Sequence, residues 1–269
     1  MLKTIKFLVI TIGSILGFIY LFVLFYLYFN QDAMTFRASK TDKNFKYNFT
    51  GDFQEINIKS FDNINLHGLL FKSKESKGLV FYLHGNVGTV EGWGDVAEKY
   101  TNLNYDIFIL DYRGYGKSEG EISSQNQVFQ DIQMAYNQLK QNYPEDKVIV
   151  LGYSIGSGLA ANLASNNNPK KLILIAPYYN FQDLALERYP FVPSFLIKYK
   201  IPTNEFILKI KAPITIFHGD KDQVIPHENS EKLLKNFPQK ITLITLKNQD
   251  HIGIDSNLDY LSEIVKILK

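Results

Sequence analysis

VIVLGYSIGSGLAANLA, residues 148–164, changes character midway. Its first half is β-branched and apolar, as a buried strand is. Its second half has the small-residue pattern of a closely packed helix. At the corner stands Gly152-Tyr153-Ser154-Ile155-Gly156. A G-x-S-x-G between a strand and a helix is a nucleophile elbow, a turn tight enough to strain the serine backbone and hold its hydroxyl at the carboxyl edge of the sheet. Side chains at the flanking positions would collide with neighbouring elements, so Gly152 and Gly156 are glycine. Five letters recur by chance, and the strand–turn–helix setting gives them weight. The Ile155 N–H, at the start of the helix, is then placed to donate to an oxyanion developing beside Ser154.

A serine hydroxyl is a poor nucleophile near neutral pH. It needs a base, and the base needs an orienting carboxylate. On a strand–turn–helix elbow the chain order is serine, acid, histidine. Of the five histidines, His67 and His84 precede Ser154. His218 lies immediately before the acid candidates, and His227 follows them too closely to come from a different strand end. His251 remains, in a loop after the last expected strand. For the acid, HGDKDQVIP (218–226) offers Asp220 and Asp222. Asp222 lies further along the loop and is the choice, with Asp220 the runner-up. A second oxyanion donor should come from the loop His84-Gly85-Asn86-Val87-Gly88, and the Asn86 N–H is the candidate. His84 reads as a packed, hydrogen-bonded histidine supporting that loop.

Outward from the elbow, strands are expected at Phe53–Lys59, Asn65–Lys72, Gly78–Gly85, Tyr105–Asp111, Lys147–Tyr153, Lys171–Pro177, Pro213–Gly219 and Ile241–Leu246. The first two read as an antiparallel hairpin. Helices are expected at Val128–Gln141, Ile155–Ala164, Asn229–Asn236 and Leu258–Leu268. Such alternation gives a mostly parallel, eight-stranded sheet flanked by helices. Residues 178–211 interrupt the rhythm with a long aromatic connection, the length at which a connection is usually functional. It reads as a small cap insertion, with Tyr178, Tyr179 and Phe191 as candidate pocket residues. Core-facing surface helices are the other reading.

Phe7 to Phe29 holds no charged residue. That run suffices for a bilayer core and is too long for a signal peptide, and no A-x-A-like site follows it. Residues 1–30 are therefore expected to be a transmembrane helix, 31–52 a juxtamembrane connector and 53–269 the catalytic domain. Lys3 and Lys6 on one side face Arg37, Lys40, Lys43 and Lys46 on the other, so the positive-inside rule is nearly balanced and gives no orientation.

At 269 residues and 45% hydrophobic, the chain can bury one sizeable core. A net charge of +2 with no long basic run implies no nucleic-acid partner. The absence of cysteine removes disulfides, a thiol nucleophile and thiolate zinc. With no H-E-x-x-H and no dinucleotide fingerprint, neither metal nor cofactor is expected.

In order, LHGNVG, LDYRGYGKSEG, GYSIGSG, HGDKDQVIP and a late His251 resemble the α/β-hydrolase superfamily from about Phe53 to the C-terminus. With the N-terminal anchor they are similar to the single-pass membrane α/β-hydrolase-domain branch, near the serine aminopeptidase and monoacylglycerol lipase-like enzymes. One departure is Ile252-Gly253 after the histidine, where that branch often has Asn-Asp. The resemblance implies an α/β-hydrolase fold, a Ser154–Asp222–His251 triad, and Asn86 and Ile155 as oxyanion donors. The expected activity is a membrane-anchored serine hydrolase acting on a small-molecule acyl ester or thioester, lipid-like substrates included. A peptidase or amidase of the aminopeptidase-like group, or a non-catalytic interaction module on the same fold, are the alternatives.

Overall fold

Every residue of β3 (Leu79–Leu83), β4 (Asp106–Asp111), β5 (Val148–Tyr153) and β7 (Ile214–Gly219) is buried. That is how strands covered on both faces look, and it explains their near-continuous apolar runs. A computed structural model describes all 269 residues. These strands, with β1 (Asp52–Lys59), β2 (Asn65–Lys72), β6 (Lys171–Ile175) and β8 (Ile241–Leu246), form one sheet ordered β1-β2-β4-β3-β5-β6-β7-β8. β1 pairs antiparallel with β2, and β2 with β4. The remaining neighbours are parallel, from β4 across to β8. The sheet is therefore mixed at one edge and parallel elsewhere.

The helices are α1 (Leu2–Thr35), α2 (Val90–Trp93), α3 (Ala97–Thr101), α4 (Gln125–Leu139), α5 (Ile155–Ser165), α6 (Phe181–Arg188), α7 (Thr203–Lys209), α8 (Glu228–Asn236) and α9 (Leu258–Leu268). One face of the sheet packs on α4, α5, α7 and α8 through Val128, Ile132, Leu159, Ile207 and Leu233. The other packs on α2, α3 and α9 through Val90, Tyr100, Tyr260 and Ile264. Each such side chain contributes roughly 1.5–3 kcal/mol by leaving water. The Tyr100 and Tyr260 hydroxyls, both buried, satisfy each other at 2.7 Å.

Several boundaries differ from the sequence expectation. α4 starts at Gln125 because Ser124 caps it, its side chain accepting from the Gln127 N–H at 3.3 Å. α2 and α3 have no counterpart in that expectation: two short helices broken at Gly94 carry too few turns for a periodic pattern. α1 continues past residue 30 to Thr35, and the segment behind it packs on the domain rather than running free. Phe36 is buried against Tyr199, and the Arg37 N–H donates to the Asn86 carbonyl at 3.2 Å. In the 178–211 connection, α7 lies on α5 with Ile207 fully buried. Only the part containing α6 and a short helical turn at Ser194–Leu196 overhangs the sheet edge where Ser154 lies.

Candidate functional site

Three strand ends converge at the carboxyl edge of the sheet. At the end of β5 the chain turns into α5 through Ser154, whose φ of 55° and ψ of −120° lie outside the ordinary regions for a non-glycine residue. Such a conformation costs on the order of 1–3 kcal/mol and persists only where the surroundings fix it. The flanking glycines do that. A Cβ on Gly156 would lie 2.1 Å from the Leu83 carbonyl oxygen, and one on Gly152 would lie 2.2 Å from the Gly156 oxygen. The strand and helix can thus approach only where both lack side chains.

The loop after β8 brings His251 Nε2 to 3.0 Å from Ser154 Oγ. The loop after β7 brings an Asp222 carboxylate oxygen to 2.7 Å from His251 Nδ1. A carboxylate only accepts, so Nδ1 carries the proton and Nε2 is free to accept one from the Ser154 hydroxyl. An imidazole held in this tautomer can draw the proton from Ser154 as the oxygen attacks. Asp220, the runner-up, is exposed and points elsewhere, accepting from the Asn248 N–H at 2.7 Å.

Asp222 is itself held. Its other oxygen accepts from the Val224 and Ile225 N–H groups, both at 2.8 Å. His218 Nε2 lies 3.2 Å from the oxygen that faces His251 and 2.8 Å from the Ile225 carbonyl. Since a carbonyl only accepts, that nitrogen is protonated, and Ser230 Oγ meets the other ring nitrogen at 2.6 Å. Burial opposes ionisation of Asp222, but the hydrogen bonds from His218, His251 and the Ile225 N–H outweigh it and hold its carboxyl well below the usual range. The sequence reading missed His218 and Ser230. The available signal was a histidine four residues before the chosen aspartate.

His251 is further fixed through its backbone, because the buried Tyr153 hydroxyl donates to its carbonyl. The Asn86 N–H has no acceptor within the protein, while its carbonyl accepts from Tyr115 and Arg37. The Ile155 N–H lies in the first turn of α5, where no helical carbonyl precedes it. Both residues line the same cavity as Ser154 and His251. His84 sits behind that loop, its Nδ1 2.7 Å from the Gly85 carbonyl and its ring among Trp93, Tyr112 and Tyr115. Burial pushes its pKa down and keeps it neutral.

The cavity has a volume of about 1090 Å³. Its walls come from the loop after β3, from Trp93 and Val96, from α6 and the following turn, and from the C-terminal half of α1. Leu24, Leu27, Met34, Leu184 and Val192 make the lining largely apolar. Of the candidate cap residues, Tyr178 reaches the cavity but is wholly buried, its hydroxyl donating to the Ile155 carbonyl at 3.2 Å. Tyr179 does not line it: its ring lies under Lys232 and its hydroxyl accepts from Asn236 on α8. Phe191 is turned outward beside α1, half-exposed. No cluster of potential metal ligands occurs anywhere in the chain.

A family model described as serine aminopeptidase, S33, matches residues 74–206. The lysophosphatidylserine lipase ABHD12 of Danio rerio is 28% identical over 213 residues, covering 71% of this chain and 55% of that protein. Protein bem46 of Schizosaccharomyces pombe is 29% identical over 190 residues, covering 66% and 63%. Among solved structures, an esterase of Pyrococcus furiosus superposes with a TM-score of 0.67 at 19% identity, covering 87% of this chain and 97% of that one. The chain has the α/β-hydrolase fold and is similar to proteins of the α/β-hydrolase superfamily. Its sequence is similar to the ABHD12- and ABHD17-like branch. It spans between about half and two thirds of the length of these curated relatives. α1 is long and apolar enough to cross a membrane.

Proposed function

We propose that the protein is a membrane-anchored serine hydrolase that cleaves an acyl ester or thioester with an apolar acyl chain. The observation that carries this is the hydrogen-bonded series Ser154–His251–Asp222, with contacts of 3.0 and 2.7 Å, at the floor of a largely apolar cavity. Ser154 attacks the acyl carbonyl while His251 takes its proton, and Asp222 stabilises the imidazolium that forms. The Asn86 and Ile155 N–H groups receive the developing oxyanion, a contribution of roughly 3–4 kcal/mol per donor to the barrier in comparable sites. His251 then protonates the leaving group. Water activated by the same imidazole releases the acid from the acyl-enzyme. α1 serves as the anchor, and residues 53–269 form the catalytic domain.

The similar proteins, a lysophosphatidylserine lipase and an esterase, support an ester carbonyl as the reacting group. The test is turnover of p-nitrophenyl esters from acetyl to palmitoyl, with an aminoacyl p-nitroanilide beside them, by the full chain and by Ser154→Ala. Ester turnover that is lost in Ser154→Ala supports the reading. Equal turnover by the variant, or cleavage of the anilide alone, contradicts it.

A further inference from the structure

The hydrogen bonds between α1 and the 178–211 connection form a ladder. Near its foot, the Tyr20 hydroxyl donates to the Phe191 carbonyl at 2.9 Å. Near its head, Gln31 bonds the Leu196 carbonyl and the Lys198 N–H, both at 2.8 Å, and Asp32 accepts from the Tyr199 hydroxyl at 2.7 Å. At 1.5 Å per residue, the rungs from Tyr20 to Asp32 span about 18 Å along the helix. Tyr20 lies well inside the uncharged Phe7–Phe29 run, about 14 Å from its end. A segment bonded there therefore lies at the depth of the hydrocarbon if α1 spans the bilayer.

That segment has the composition for such a place. Tyr189–Ile197, YPFVPSFLI, contains no charge. Phe195 is 81% exposed and Phe191 47% exposed, although both are large and apolar. A backbone in hydrocarbon must satisfy its polar groups internally. Here Pro190 and Pro193 have no N–H. The segment meets this requirement in part: the N–H groups of Tyr189, Val192, Leu196 and Ile197 bond to the Ala185, Tyr189, Pro193 and Ser194 carbonyls, those of Phe191, Ser194 and Phe195 bond to none in the protein, and the Phe191 and Leu196 carbonyls are taken by α1. The first charge after the segment, Lys198, turns back over the Tyr28 ring and towards Asp32, as interfacial groups do. Between the two elements, Leu24, Leu27 and Tyr28 of α1 line the cavity that holds Ser154.

We propose that Tyr189–Ile197 inserts in the bilayer beside α1, and that an acyl chain passes from the leaflet between these two elements to Ser154. α1 is then a wall of the substrate site as well as an anchor. The second half of the proposal rests on the hydrolase reading given above; the first half does not.

The chain has no cysteine, so one introduced thiol is unique. Phe195→Cys, labelled with an environment-sensitive nitrobenzoxadiazole dye, is reconstituted as the full chain in phosphatidylcholine vesicles. The reference is Asp146→Cys, exposed just before the N-terminal end of β5 and so at the opposite sheet edge from Ser154. Insertion predicts blue-shifted emission at residue 195, with strong quenching by lipid spin-labelled on the upper acyl chain, and neither at residue 146. Equal, water-like signals at both positions overturn it, whatever the enzyme does. The portal is read with Phe195→Asp, because Phe195 does not line the cavity. Turnover of a palmitoyl ester carried in vesicles should fall, while turnover of soluble p-nitrophenyl acetate is kept. Unchanged turnover of the vesicle ester, or equal loss of both, overturns the portal. Retention of turnover in Ser154→Ala would remove the hydrolase reading and leave the fluorescence result standing.

Discussion

Replacing Asp222 by asparagine exchanges one side-chain oxygen for an NH2 group and should nearly abolish the proposed hydrolysis. One Asp222 oxygen accepts two backbone N–H groups at 2.8 Å. An amide nitrogen placed there would abut two donors, so the introduced asparagine must keep its oxygen on that side. Its NH2 group is thereby turned to His251 Nδ1, 2.7 Å from the present oxygen, and to the protonated Nε2 of His218. Donation to Nδ1 forces the His251 proton onto Nε2, where it faces Ser154 and prevents the ring from acting as base. A wrong tautomer of this kind lowers kcat by about 10⁴, equivalent to about 5.4 kcal/mol at 1.36 kcal/mol per tenfold. The assay is hydrolysis of p-nitrophenyl butyrate at mildly alkaline pH, with circular dichroism to verify the fold. Asp220→Asn is the control. That side chain is exposed and accepts one N–H, so turnover should be unchanged and stability lowered by at most about 1 kcal/mol. A folded Asp222→Asn protein within about tenfold of the parent, or an equal loss in Asp220→Asn, would refute the reasoning about the tautomer.

Gly156→Ala puts a methyl group 2.1 Å from the Leu83 carbonyl oxygen, where neither backbone can yield. It should lower stability by about 3 kcal/mol, seen as a fall of roughly 6–12 °C in Tm by calorimetry. Leu27→Trp fills part of the cavity from the α1 side, and should move the preferred acyl length in an ester series downward without abolishing acetyl ester turnover. The depressed Asp222 pKa makes a stability prediction with a definite sign. Its ionised form contributes stability that is complete above the ordinary carboxylate value near ~3.9 and is lost as pH falls towards the lower folded value. Between about pH 5 and 2, the parent should therefore lose more stability to urea than Asp222→Asn does.

The elbow was legible because its physics is local. Two glycines are required because a Cβ at either would lie 2.1 or 2.2 Å from a backbone oxygen of an element adjacent in sequence or in the sheet, and the pattern that answers this lies within a few residues. The sheet was legible for a similar reason, since strands buried on both faces are apolar throughout. His251 could be reached by elimination because the chain has so few histidines. What was hidden depends on distant partners. Tyr179 and Phe191 look alike in an aromatic-rich stretch, yet one packs under Lys232 while the other is half-exposed with its carbonyl bonded to α1, and no sequence spacing distinguishes them. Thr203–Lys209 reads as part of a cap until Ile207 is seen buried with the sheet core. The bonds of Gln31 to Leu196 and of Asp32 to Tyr199 join residues 165 and 167 positions apart, and they turn an expected linker into part of the cavity wall.

The most direct test of the central claim is to treat the purified full chain with a fluorophosphonate and map the adduct by mass spectrometry. A single adduct on the peptide containing Ser154, absent from folded Ser154→Ala and strongly slowed in Asp222→Asn, is the predicted result. Labelling that persists in Ser154→Ala, or a folded parent that takes no label, would contradict it.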